Sequence, residues 1–209
     1  MSRFGRGLRA LRARRAERGS VMVEAAIVVP LLLFLTFGAI EYGLAFRDSA
    51  SVAASTRTGA RTASALPAVD CTPSNCGTVN SESFWDGARI AVNDSLKDLT
   101  HSVPIELVIF KADPTTGKPF GGLTYDTCND CYRYNWSAVS KAFPSTTANA
   151  SGGYWTPAEQ KADICAGKSD AIGVYVKAQH SFLTNLFGTS TTYDHATVMR
   201  LEPAGSDLC

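Results

Sequence analysis

The sequence predicts an α+β protein. A long N-terminal transmembrane and stalk helix leads into a small antiparallel-sheet domain with one packed helix, stapled by disulfides. Three observations predict this. Residues 25–40, AAIVVPLLLFLTFGAI, hold no charge, and a helical pattern continues beyond them to about Ala65. Four later stretches read as strands between turn signals. All six cysteines lie in the later part of the chain. At 45% apolar, the 209-residue chain has enough apolar residues for a folded core and too many for wholesale disorder.

Charge divides the chain. Residues 1–19 carry seven Arg and one acid, a local charge of +6, whereas the remainder carries 13 basic and 18 acidic residues, or −5. Such asymmetry indicates a tail and a body in different surroundings. We therefore divide the chain into a basic cytoplasmic leader at 1–19, a transmembrane and stalk helix at 20–66, and an extracytoplasmic α+β head at 67–209. The run 25–40 extends about 24 Å as a helix, short of a bilayer core of about 30 Å. Continuing through Phe46 supplies the length but takes in Glu41. Seven arginines before the run, against Arg47 alone just after it, place the N-terminus in the cytoplasm and the head outside, on a single-pass cell-membrane protein in contact with lipid. Export permits disulfides, and the cysteine count is even. A cleaved secretory signal would end in a small-residue site. Here EYGLAFRDSASVAA resumes as an amphipathic helix without a break. The arginine run could suggest nucleic acid, but its place beside an apolar helix explains it better, and no nucleic-acid partner is expected.

Within the helix, Ala45, Ser49, Val52, Ala53, Thr56, Ala60 and Ala63 recur at three- and four-residue steps, a small-residue face that lets another helix approach closely. Pro30 removes one backbone hydrogen bond and should kink the helix. Pro67 and the turn Cys71-Thr-Pro-Ser-Asn-Cys76 end it. In the head, 82–99 carries Phe84, Ala88, Ala91, Val92, Leu96 and Leu99 as a helical stripe, read as core packing. Strands are expected at 104–111, 131–136, 170–180 and 191–202. Residues 141–169 read as a long loop with a short helix at 157–165. The four strands should form one twisted antiparallel sheet, packed on the 82–99 helix and the top of the stalk.

Few residues suggest chemistry of their own. Cys128-Asn-Asp-Cys131 has redox spacing, but it precedes a strand, and the neighbouring Asp126 and Asp130 would raise a thiol pKa. A structural disulfide is the better reading. Of fifteen possible pairings, Cys71–Cys76, Cys128–Cys131 and Cys165–Cys209 is the one we expect. Zinc spacing is absent, since the second Cys pair follows 51 residues after the first. His101, His180 and His195 are scattered. His180 and His195 could meet across adjacent strands, but exposed strand histidines are expected. A phosphate loop fails because Ala162 stands five places before Gly167. Trp85, Trp136 and Trp155 read as core or rim. The expectation is therefore a non-enzyme, with no catalytic residues, metal or cofactor.

One boundary points to a family. Arg18-Gly19-Ser20-Val21-Met22-Val23-Glu24 is a basic leader ending in Gly, then a small residue, then Glu five places after the Gly, then an apolar helix. This resembles a type IV prepilin-type leader. Glu24-Ala25-Ala26, Pro30, Gly38, Glu41-Tyr42-Gly43 and Ala60-Arg61-Thr62-Ala63 resemble the TadE/TadG-like proteins of tight-adherence (Flp) pilus assembly, as does Val198-Met199-Arg200-Leu201-Glu202-Pro203. The resemblance implies a membrane-anchored, pilin-like minor pseudopilin. A prepilin peptidase would cut it between Gly19 and Ser20. Gly suits such a site because it imposes no Cβ clash. Glu24 would then pair with the free Ser20 amine of a neighbouring subunit and set register; otherwise it snorkels to headgroups. The implied partners are the prepilin peptidase, other pilin-like subunits, and the inner-membrane assembly platform with its ATPase. Two other readings remain: a membrane-tethered extracytoplasmic thiol–disulfide protein, and a surface adhesin whose Trp155 loop meets a ligand.

Overall fold

Helix-forming residues dominate the first third of the chain, and there they build one long element. Helix α1, Gly5–Ala65, has 61 residues, about 90 Å at 1.5 Å per residue. It starts at Gly5 rather than Ser20, because Ala, Leu, Arg and Glu before Ser20 are all good helix formers. Pro30 lies inside it. The helix stops at Ala65, as Pro67 demands, since a proline disfavours helical geometry in the residue before it. The computed structural model describes residues 5–65, 84–145 and 169–201. The expected Cys71–Cys76 and Cys165–Cys209 bridges, the short helix at 157–165 and Trp155 lie outside the described residues.

Helix α2, Phe84–Ser95, is shorter than the stripe at 82–99. Its Ala88 and Val92, with Leu96 just beyond it, are buried as the spacing requires. Four strands follow: β1 Ser102–Ala112, β2 Cys131–Asn135, β3 Ala171–Ser181 and β4 Ser190–Arg200. They form one antiparallel sheet in the order β2-β1-β3-β4. The expected sheet is present, with strand ends within about two residues of their expected places.

The sheet is covered along one face and over one end of the other. On one, Leu107, Ile109, Tyr134, Ile172, Val174 and Val176 pack with Val52, Ala60 and Ala63 of α1 and Ala88 and Val92 of α2. On the other, Val108, Phe110, Cys131 and Tyr175 lie beneath the segment between β1 and β2. Tyr125 of that segment stacks on Tyr175 at 4.0 Å between ring centroids. Two-sided burial explains why alternation in β1 gives way to a continuous apolar run, the pattern of an inner strand. Burial, reinforced by the Asp194 carboxylate, pushes the Tyr175 phenol up to about 12. Arg133 of β2 donates to the Tyr125 carbonyl and lies 2.5 Å from Glu106. Burial still raises the Glu106 carboxyl above its ordinary value, outweighing that guanidinium. Trp85 stacks on Tyr132, and Trp136 meets Phe143 edge-on, so both serve as core rim.

Candidate functional site

Helix α1 has two halves with opposite surroundings. From Ser20 to Phe37 every residue is exposed, including Val21, Met22, Ile27, Leu31 to Phe34 and Phe37. From Gly38 onward one face is buried: Glu41, Asp48, Val52, Ser55, Thr56, Gly59, Ala60, Ala63 and Ser64. The first half is a bare apolar rod, which water solvates at a cost of roughly 25 cal/mol per Å². The helix over Ser20–Ala65 is long and apolar enough to cross a membrane, and its apolar window is almost wholly uncovered, unlike the core helix of a globular protein. Ser20 and Glu24 both sit on the rod. The Gly19–Ser20 bond lies in helical backbone. A peptidase that needs extended chain must unwind a turn there, and Gly lowers the cost by about 1 kcal/mol relative to Ala.

The second half meets its own head. The small-residue face admits α2 and the sheet. At Gly59 a Cβ would lie 2.6 Å from Val92 Cγ2. Polar side chains fasten α1 to alternate residues of β4. Ser49 Oγ is 2.9 Å from His195 Nε2, Thr56 Oγ1 is 2.9 Å from Thr197 Oγ1, and Ser64 Oγ is 4.0 Å from Met199 Sδ. Two turns higher on the helix correspond to two residues along the strand, so β4 crosses α1 obliquely.

The histidines depart from expectation. His180 is 1% exposed, not a surface strand residue, because it sits where α1 covers the start of β1. It does not meet His195, whose register partner is Val176, while His180 faces Thr191. Ser102 Oγ donates to Asp48 Oδ2 at 2.7 Å and lies 3.0 Å from His180 Nδ1. Ser102 has one hydroxyl proton, so with that given to Asp48 its oxygen accepts from His180 Nδ1–H. The residue types are those of a hydrolytic triad. The wiring is not, since the hydroxyl rather than the imidazole stands in the middle. All three are buried, and the cluster locks α1 to the sheet.

Below this lock, two turns nearer the N-terminus, the loop between β3 and β4 closes over Glu41. The Thr184 N–H donates to Glu41 Oε1. Glu41 is 2% exposed, and its Oε2 has no hydrogen-bonding partner among the described residues. Phe187 of the loop reaches further down α1. Its ring centroid is 5.2 Å from that of Phe34 and 5.5 Å from that of Tyr42. It fills the space Gly38 leaves, where a Cβ would come within 2.9 Å of the ring.

An exposed apolar rod continuous with a small-residue docking face is the arrangement against which the known families can be compared. Residues 19–61 match the family model described as TadE-like protein. No curated protein and no solved structure matches the chain. The TadE-like segment begins at Gly19 and ends in the docked half of α1, so it includes both the rod and most of the face that holds the head. It also contains Ser20, Glu24, Pro30, Glu41 and Asp48.

Outside the TadE-like segment, Cys128 and Cys131 form a disulfide with Cα atoms 5.9 Å apart, as expected for this pair. Cys131 opens β2 and is buried, opposite Phe110. The pair straddles the start of a strand, not a helix N-terminus where the dipole would favour a thiolate.

Sequence reasoning missed Asp48, Ser102 and the β3–β4 loop as parts of one junction. Signals existed. Glu41 and Asp48 are seven apart and so share a helix face. The loop Phe182-Leu-Thr-Asn-Leu-Phe187 is unusually apolar for a connection between two strands.

Proposed function

We propose that this chain is a membrane-anchored, pilin-like subunit, a minor pseudopilin that takes part in assembly of a tight-adherence (Flp) pilus without catalysing a reaction. The observation that carries the reading is the exposed apolar rod Ser20–Phe37 within a TadE-like match that starts at Gly19. An uncovered helix of this kind needs lipid or other helices around it. The arginines hold the leader in the cytoplasm, and the disulfide-stapled head lies on the far side. A prepilin peptidase cuts between Gly19 and Ser20. Glu24 is then placed one turn from the new amine and pairs with the amine of a neighbouring subunit. The assembly platform and its ATPase engage the chain from the cytoplasmic side.

Two measurements test this. Protein extracted from membranes of cells with an active prepilin peptidase should have an intact mass that begins at Ser20. A mass retaining residues 1–19 overturns the processing step. Glu24→Leu should abolish surface pili while leaving protein level and head disulfide unchanged, and normal piliation in that strain would refute the assembly role.

A further inference from the structure

We propose that the β3–β4 loop, residues 182–189, is a second membrane contact, seated in the phospholipid bilayer at the boundary of headgroups and acyl chains on the head's side. This rests on the reading of α1 as a span.

The loop is placed for it. Phe187 packs against Phe34 and the bare backbone of Gly38, and both belong to the uncharged run that ends at Ile40. Phe34 lies about 9 Å below Ile40 along the helix axis at 1.5 Å per residue. A loop whose ring touches Phe34 must therefore enter the layer that holds the end of the run. Interfacial elements bury their apolar face about 5–10 Å into that boundary, which is the same depth.

Its composition fits too. Residues 182–189, Phe-Leu-Thr-Asn-Leu-Phe-Gly-Thr, carry no charge. Phe182 and Phe187 both lean on Tyr42. Leu183 and Leu186 are 58% and 48% exposed, with nothing in the described chain covering them. Three backbone N–H groups of the loop have partners within the junction, which lowers the cost of a water-poor layer. Phe182 N–H donates to the Thr189 carbonyl at 3.1 Å, Leu186 N–H lies 3.4 Å from Thr184 Oγ1, and Thr184 N–H is spent on Glu41. Asn185 at φ 56° and Gly188 at φ 112° make the tight turn possible.

The loop also covers the acid that follows the run. Glu41 comes directly after Ile40, and with its carboxylate buried under Thr184 it is not presented to the layer at that boundary. The loop thus continues the uncharged surface of the span across its end, and this is why lipid is the occupant argued for, rather than a second protein.

The test uses the full-length protein in vesicles of phosphatidylcholine and phosphatidylglycerol, with and without bromine on the acyl chains. Tryptophan is introduced at one position at a time, and emission added over the parent protein is measured. Leu32→Trp, in the middle of the run, reports the span. Phe120→Trp reports the far end of the head, since β1 leads away from the loop towards it. Leu186→Trp, with Leu183→Trp as a second probe, should emit to the blue and lose most of the added emission in brominated vesicles, while Phe120→Trp keeps its own. Quenching at Leu32 without quenching at Leu186 or Leu183 overturns the loop proposal and leaves the span intact. Blue-shifted but unquenched emission at Leu186 and Leu183, the mark of cover by a second copy or another protein, also overturns it. Absence of quenching at Leu32 overturns the span itself.

Discussion

The two halves of α1 use different residues against different neighbours. Between Ser20 and Phe37 large apolar side chains point outwards on all sides. Between Gly38 and Ala65 the large side chains give way to Gly, Ala, Ser and Thr on one face, and that face is covered. Large side chains suit a fluid partner such as lipid, which fills any shape. Small ones suit a rigid partner, whose backbone can then approach closely. One continuous helix thus serves as both anchor and scaffold, and the change occurs at Gly38, where Phe187 packs against the bare backbone.

The sharpest way to break the contrast is at the lock. Asp48→Ala removes the acceptor of Ser102 and the carboxylate beside His180, leaving these two buried side chains bonded only to each other. We expect a loss of about 3 kcal/mol in head stability, read from thermal unfolding of the detergent-solubilised protein. Leu33→Ala, on the rod, should change the same transition by less than about 0.5 kcal/mol. An equal effect from both would mean that the two halves are not energetically distinct.

A finer comparison sets two glycines of the same helix against each other. Gly43 has open space where a Cβ would go, whereas Gly59 faces Val92 at 2.6 Å. Gly43→Ala should stabilise by up to about 1 kcal/mol through helix propensity. Gly59→Ala gains the same term but overpacks a β-branched neighbour, and we expect a net loss of about 1–2 kcal/mol. Opposite signs in unfolding experiments support the division of α1, and a gain at both sites refutes tight docking at Gly59.

The smallest expected effect is a pH slope confined to the head. Burial raises the Glu106 carboxyl above 4.5, so the folded state holds that proton more firmly than the unfolded chain does. The associated stability is present below pH 4.5 and is lost as pH rises through the folded value. Glu106→Gln should flatten this part of the stability–pH curve, whereas rod substitutions should leave it unchanged. A slope that persists in Glu106→Gln assigns it to another group.

Much of this was legible without coordinates. The uncharged run, its arginine flank and the small-residue periodicity are local patterns, and local patterns determine that a long helix forms and where it ends at Ala65. Alternating segments between turns determined four strands, and the close spacing of Cys128 and Cys131 indicated their bridge. What tertiary structure decided was who faces whom. Packing of the sheet on the top of the stalk was expected, but sequence spacing could not say which head residues the small-residue face of α1 meets, because the pattern reads the same for any close-packed partner. Nor could it bury His180, since a strand histidine is exposed or covered according to what crosses the sheet above it. Glu41 reads as an interruption of the span until Thr184, far along the chain, is brought over it. Pairings over such separations depend on how the sheet closes against the helix, and no short stretch of residues contains that information.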